Sequence, residues 1–252
     1  MLQRESVGGV TILRFDHGKA HALDVEFCGA LDDALGKLAA DETAKAVVLT
    51  GSGTIFCAGV DLLRLLEAGP DYVDTFVPML ARTFAGLFAF PRPVVAAING
   101  HAIAGGCVLA AASDYRIMAR GNGTIGVPEL RVGVPFPLVA IEILRFATST
   151  AHLQELVYRG KTYPVDEAYE RGLVDDVVPP DRLLDHAVAV ATRLASEPAA
   201  RFRLTKRQLR QPTIERIARF SSSTDAEVVA EWKNETTMAA IRAYFATITH
   251  RR

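Results

Sequence analysis

Three stretches of this chain hold residues whose types and spacing could do chemistry. Between Pro93 and Val108 an apolar run, Val94, Val95, Ala97 and Ile98, stops at Asn99-Gly100, and Gly105-Gly106 then opens a second apolar run from Cys107 to Ala112. A glycine costs a helix roughly 1 kcal/mol against alanine, so two in a row need a reason beyond propensity. Two reasons stand open: close packing of helix on strand, or a ligand lying against backbone that carries no Cβ. In the second case the first N–H groups of the helix, unpaired and at the positive end of its dipole, suit an oxygen that gains negative charge during a reaction. Phe56-Cys57-Ala58-Gly59-Val60-Asp61 repeats this design, a loop feeding a helix from Leu62 to Leu66. Glu129, in Pro128-Glu129-Leu130, adds a carboxylate able to accept a proton.

The elements that must position these residues are legible in the hydrophobic pattern. Val10 to Phe15 predicts a first strand, turned by Asp16-His17-Gly18, and Asp24 is a good N-cap for a helix whose Phe27, Leu31, Leu35 and Leu38 share one face. Ala46 to Thr50 predicts a buried strand broken by Gly51-Ser52-Gly53. A longer helix fills Tyr72 to Phe88, with Pro78 inside it and Pro91 and Pro93 stopping it before the strand at Val94. Asp114 to Met118 predicts another strand, Gly121-Asn122-Gly123 a turn, and Pro128-Glu129-Leu130 a loop. Helices follow at Leu138 to Phe146, Thr150 to Tyr158 and Val165 to Arg171, then a closing strand at Val174 to Val178, and everything beyond Pro179-Pro180 is helical. Strand, turn and helix recur in units of similar length, with no linker or low-complexity tract between them.

Composition narrows the class of protein. Half of the 252 residues are hydrophobic and 23% are charged, which describes a globular chain with a large core. Lys plus Arg total 28 against 29 Asp plus Glu, a balance with no electrostatic footprint for nucleic acid. Cys28, Cys57 and Cys107 show neither a disulfide framework nor metal-ligand spacing, so the expectation is a cytoplasmic protein with no metal site. Val94 to Ser113 carries no fixed charge, but Asn99, His101 and three glycines within it favour a buried strand and helix over a membrane span. No membrane partner is expected.

Four motifs in order make the chain similar to the enoyl-CoA hydratase/isomerase (crotonase) family, over a span from about Val10 to the early 200s. They are Lys19-Ala20-His21-Ala22-Leu23-Asp24, Phe56-Cys57-Ala58-Gly59-Val60-Asp61-Leu62, the run from Arg92 to Cys107, and Gly126-Val127-Pro128-Glu129-Leu130 with Gly133 shortly after. The resemblance implies an α/β fold, a crotonase-like spiral of repeated ββα units over residues 1–195, with a C-terminal helical region over 196–252 that mediates trimer contacts. It implies acyl-CoA thioesters as substrates, coenzyme A being part of the substrate and no separate cofactor being required. It further implies that the N–H groups of Val60 and Gly105 form an oxyanion hole, with Gly106 beside it, and that Glu129 is the catalytic acid/base. Lys19, Ala20 and Ala22 correspond to the lining of the CoA channel, Ala58 and Asp61 lie beside the adenine pocket, and Leu62 and Gly106 belong to the substrate-binding set.

Departures from the family pattern shape the expected reaction. Where hydratases of the family carry a second glutamate this chain has Val108, and Cys107, Leu109 and Ala110 supply no carboxylate either. Ala104 replaces a common glycine, and Ala243-Tyr244-Phe245-Ala246-Thr247 lacks a basic residue often placed against CoA phosphate. The leading expectation is therefore an isomerase that moves an enoyl-CoA double bond with Glu129 alone. The alternatives are an enoyl-CoA hydratase and a non-catalytic acyl-CoA-binding protein. His101 is a further candidate base, set against a role in a turn or in the pantetheine channel, while Cys57 and Cys107 read as packing residues. Leu63, Leu66, Phe76, Met79, Leu80 and Phe136 are candidates to shape the acyl pocket. Apolar residues beyond the closing strand, Phe202, Leu204, Leu209, Ile214, Ile217 and Phe220, predict burial against a neighbouring subunit in a homotrimer or dimer of trimers.

Overall fold

The computed structural model describes residues 1–249. The chain runs β1 (Leu2–Val7), β2 (Val10–Phe15), α1 (Val25–Ala40), β3 (Ala46–Gly51), β4 (Ile55–Cys57), α2 (Leu62–Ala68), α3 (Pro70–Phe88), β5 (Val94–Ile98), β6 (His101–Ile103), α4 (Gly105–Ala112), β7 (Tyr115–Ala119), β8 (Thr124–Gly126), α5 (Glu129–Val132), α6 (Leu138–Ala147), α7 (Thr150–Arg159), β9 (Thr162–Pro164), α8 (Val165–Glu170), β10 (Asp176–Val178), α9 (Leu183–Leu194), α10 (Ala199–Lys233) and α11 (Glu235–Thr249). Two sheets result. One has the order β1-β2-β3-β5-β7-β10 and the other β4-β6-β8-β9.

The recurring unit explains the pair of sheets. β3, β5 and β7 lie in the large sheet, and the short strand after each, β4, β6 and β8, crosses to the small one before the chain turns into helix. Pairing between successive units is parallel in both sheets, so each ββα turn stacks on the last and the chain winds as a spiral. The fold is the crotonase-like α/β spiral with C-terminal helices.

Alternation along the strands feeds two cores. Val10, Ile12, Ala46, Val48, Val95 and Ala97 face α9, meeting Leu183, Ala187 and Ala191. Their neighbours Leu13, Phe15, Val47, Leu49, Ala96 and Ile98 face the other way, into the main core with α1, α3, α4 and α6. Strands buried on both faces read as continuous apolar runs, as a parallel sheet covered by helices requires. The last two helices join the main core through Val228, Trp232, Met238 and Ile241.

Most expected elements stand within two residues of the predicted ends. Asp24 caps α1, its side chain accepting the Phe27 N–H at 2.7 Å. The loop expected at Pro128-Glu129-Leu130 is instead the one-turn helix α5, begun at Pro128 and ended by Gly133 at φ 96°, whose N–H donates to the Glu129 carbonyl at 2.9 Å. The closing strand is shorter than Val174 to Val178, since only Asp176–Val178 pairs with β7. Residues 250–252 of the expected C-terminal region lie outside the described residues.

Candidate active site

Two loops bring backbone donors together. After β4, Leu23 forms an isolated bridge with Val60: its N–H donates to the Gly59 carbonyl at 2.7 Å and its carbonyl accepts the Asp61 N–H at 2.9 Å. Because backbone groups alternate in direction along an extended segment, Gly59 and Asp61 face Leu23 while Val60 turns its N–H the opposite way. Among the described residues that N–H has no acceptor, and the same holds for the N–H of Gly105, the first residue of α4. The two lie close. A Cβ placed on Gly59, at φ 85°, would sit 3.2 Å from the Gly105 nitrogen and 2.6 Å from the Ala104 Cβ.

Ala104, the N-cap of α4, is held at φ 52° and ψ −123°, a backbone conformation that costs a residue with a Cβ about 1–3 kcal/mol. Its N–H donates to the Gly126 carbonyl at 2.8 Å, which ties the start of α4 to β8. The strained residue thus fixes the direction of the next N–H, that of Gly105.

Both donors face one cavity of about 650 Å3, which also contains Glu129. Among the described residues three carboxylates line it, and two are committed elsewhere. Asp24 caps α1 and pairs with His17 Nε2 at 2.7 Å, and Asp61 caps α2 through the Arg64 N–H at 2.9 Å. Glu129 differs, because its Oε2 is buried with no hydrogen-bond partner among the described residues. Burial raises its pKa from 4.5 to about 8, and its own backbone N–H offsets only part of the rise. Val108, 1% exposed, lines the same cavity and gives it an apolar wall.

Of the residues singled out in the sequence, Lys19, Ala20, Ala22, Ala58, Val60, Asp61, Leu62, Gly105 and Glu129 all line this cavity, as do Leu63, Leu80 and Phe136. Gly106 does not; a Cβ there would lie 2.1 Å from the Cys57 carbonyl oxygen, so this glycine serves the close approach of α4 to β4. Leu66, Phe76 and Met79 pack in or against the core away from the cavity surface. His101 lies outside it as well, its Nδ1 placed 3.0 Å from Thr124 Oγ1. Cys57 and Cys107 are buried thiols, and burial pushes both pKa values up, that of Cys57 to about 12. Neither is a ready nucleophile. Sequence reasoning missed Phe84, Val132, Val134, Ala140 and Trp232, all of which line the cavity, and Tyr244, from the stretch compared with the family's CoA-phosphate contact, lines it too. Phe84 lies on the predicted buried face of α3, whereas nothing local marks Trp232.

Residues 5–245 match the family model described as enoyl-CoA hydratase/isomerase. The chain belongs to the enoyl-CoA hydratase/isomerase family. Curated relatives in it include the short-chain-enoyl-CoA hydratase of Clostridium acetobutylicum, 30% identical over 207 residues, covering 81% of this chain and 79% of that one. Another is the mitochondrial enoyl-CoA delta isomerase 1 of Rattus norvegicus, 28% identical over 221 residues, covering 86% of this chain and 76% of the rat protein. Among solved structures, human mitochondrial delta3-delta2-enoyl-CoA isomerase superposes with a TM-score of 0.95 at 25% identity, covering 100% of this chain and 99% of that one. Membership makes this chain an enzyme, an enoyl-CoA isomerase or an enoyl-CoA hydratase. Among the described residues of this family member, no group of three or more His, Cys, Asp or Glu is arranged to hold a metal ion. No helix among them is long and apolar enough to cross a membrane.

Proposed function

We propose that this enzyme moves the double bond of a 3-enoyl-CoA to C2, with Glu129 as the only acid/base and the N–H groups of Val60 and Gly105 as the oxyanion hole. The thioester carbonyl oxygen accepts both N–H groups. Glu129 removes a proton from C2, the electron pair moves onto that oxygen as a dienolate, and the C3–C4 double bond is drawn into conjugation. Glu129 then returns the proton to C4, the electrons leave the oxygen, and a C2–C3 double bond remains. Atoms balance without water, metal or redox partner, so no cofactor enters the scheme.

One observation carries this reading. Among the described residues the cavity holds a single uncommitted carboxylate, Glu129, together with an apolar wall at Val108. A fixed pair of donors stabilises the developing oxyanion without reorganising, and a base kept dry has a pKa suited to a weakly acidic C–H. Lys19, Ala20, Ala22, Ala58, Asp61 and Leu62 form the wider, more exposed part of the cavity and are assigned to the CoA moiety. Hydration is the second reading, favoured by the name of the Clostridium relative. It requires a water to be held where Val108 offers no hydrogen bond.

In this reading the enzyme works in the cytoplasm, which suits three free, buried cysteines, and assembles as a homotrimer or dimer of trimers. Leu204, Leu209 and Phe220 on α10 are exposed, which supports burial against another subunit, whereas Ile214 and Ile217 already pack on the main core of their own chain.

The test is a direct comparison of 3-enoyl-CoA and 2-enoyl-CoA as substrates, followed spectroscopically. Isomerisation should exceed hydration, and Glu129→Gln should lower isomerase turnover by roughly two orders of magnitude or more while acyl-CoA still binds. Fast hydration of crotonyl-CoA without isomerisation, or near-parental turnover in Glu129→Gln, would overturn the assignment.

A further inference from the structure

The lining of the cavity changes character: Lys19 and Leu63 are exposed, while Leu80, Phe84, Ala140 and Trp232 are each no more than 2% exposed. One of these buried walls comes from a distant part of the chain: Trp232 stands in the last turn of α10. Its indole is held firmly. The Nε1–H donates to the Pro135 carbonyl at 2.9 Å, the ring lies 6.4 Å from that of Phe76, and the next residue, Lys233, pairs with Asp74 at 2.6 Å. The one polar group of the indole is thereby consumed, so the surface it turns to the cavity is purely apolar.

We propose that Trp232 is the closed end of the acyl chamber and sets the longest chain this enzyme accepts, making its substrates short- to medium-chain acyl-CoA thioesters with an unsubstituted hydrocarbon tail. The inference rests on the acyl-CoA reading of the site given above. The cavity of about 650 Å3 has to hold both the reacting thioester region and the tail, and its walls at Leu80, Phe84, Ala140 and Trp232 are buried, which offers a longer tail no exposed surface to follow. A hydroxyl or carboxylate at the end of the tail would meet only apolar surface at Leu80, Phe84, Ala140 and Trp232 among the described residues, and burying such a group unpaired is unfavourable. Chain length and tail polarity are thus read by a residue more than a hundred positions from the oxyanion hole.

Trp232 is also the only tryptophan in the chain, so its emission reports directly on this wall. Two measurements test the proposal. With 3-enoyl-CoA substrates from hexenoyl to hexadecenoyl, kcat/KM should fall steeply before hexadecenoyl. Trp232→Ala and, to a smaller degree, Trp232→Phe should raise the ratio of hexadecenoyl to hexenoyl activity by roughly tenfold or more. In the unaltered protein, octanoyl-CoA, which has no double bond to move, should shift or quench the tryptophan emission, while free CoA bound to the same extent should not. An unchanged length profile in a folded Trp232 variant, or emission indifferent to octanoyl-CoA whose binding is established by calorimetry, overturns the assignment. If no substrate is isomerised yet octanoyl-CoA still moves the emission and free CoA does not, the enolate reading falls and the Trp232 wall stands.

Discussion

Glu129 sits where every other carboxylate of the cavity is already engaged, so its ionisation is governed by burial, and the consequences run in two directions with pH. As a base it must be ionised. Below its pKa of about 8, kcat/KM for isomerisation should therefore climb about tenfold per pH unit and level off above it, a profile obtained by initial rates across pH. Stability moves the other way. Between the ordinary value of 4.5 and about 8 the folded chain holds a proton that the unfolded chain has released. The contribution of this group is complete below the lower value and is lost as pH rises to the upper one, at about 1.4 kcal/mol per unit. Glu129→Gln carries no such loss, so its Tm relative to the parent should rise between about pH 5 and about pH 9 in thermal melts. In the proposed mechanism Val108 governs the choice between isomerisation and hydration. A water held against valine instead of a second carboxylate forgoes a hydrogen bond of about 1–3 kcal/mol, which slows hydration by roughly ten- to a hundredfold. Val108→Glu should shift the ratio of products towards 3-hydroxyacyl-CoA, read by chromatography of the products.

Two adjacent glycines open α4, and the element tells them apart. A Cβ on Gly106 would lie 2.1 Å from the Cys57 carbonyl oxygen, a backbone atom that cannot move away without displacing β4. A Cβ on Gly105 would meet the Leu23 Cδ1 at 2.5 Å, the far end of a flexible side chain. Gly106→Ala should lose at least about 1–3 kcal/mol, a fall in Tm of several degrees, and Gly105→Ala less, as calorimetry on the two variants would establish. The seating of α10 depends on a different element contact. Asp114, just before β7, receives Lys206 at 2.7 Å and Arg210 at 2.8 Å, and Arg210 also donates to the Ala112 and Ser113 carbonyls at the end of α4.

Long helices and doubly buried strands were legible because ten or more residues, or an unbroken apolar run, leave a clear period. β4, β6, β8 and β9 span three residues each, too few to complete an alternation, and β1 exposes all its residues except half-buried Leu2. The backbone donors and Glu129 were found through motif order, since hydrogen bonding by N–H groups leaves almost no mark on side-chain identity. Trp232 escaped because a wall built by tertiary packing has no local pattern.

At the scale of the whole molecule, the cavity draws its described walls from nearly the full length of a single chain, from His17 and Lys19 near the start to Trp232 and Tyr244 near the end. The C-terminal helices fold back over the cavity, α10 lining it through Trp232 and α11 through Tyr244. Exposed Leu204, Leu209 and Phe220 lie elsewhere along α10, none of them among the residues that line the cavity. The proposed subunit contacts and the proposed chemistry would therefore use different stretches of the same helix. A chain that completes its own site works as an independent unit inside any assembly it joins. When parent and Glu129→Gln chains are mixed, unfolded and reassembled in known proportions, specific activity should decline in a straight line with the fraction of altered chains; a curve sagging below that line would mean that one subunit borrows its catalytic competence from the next.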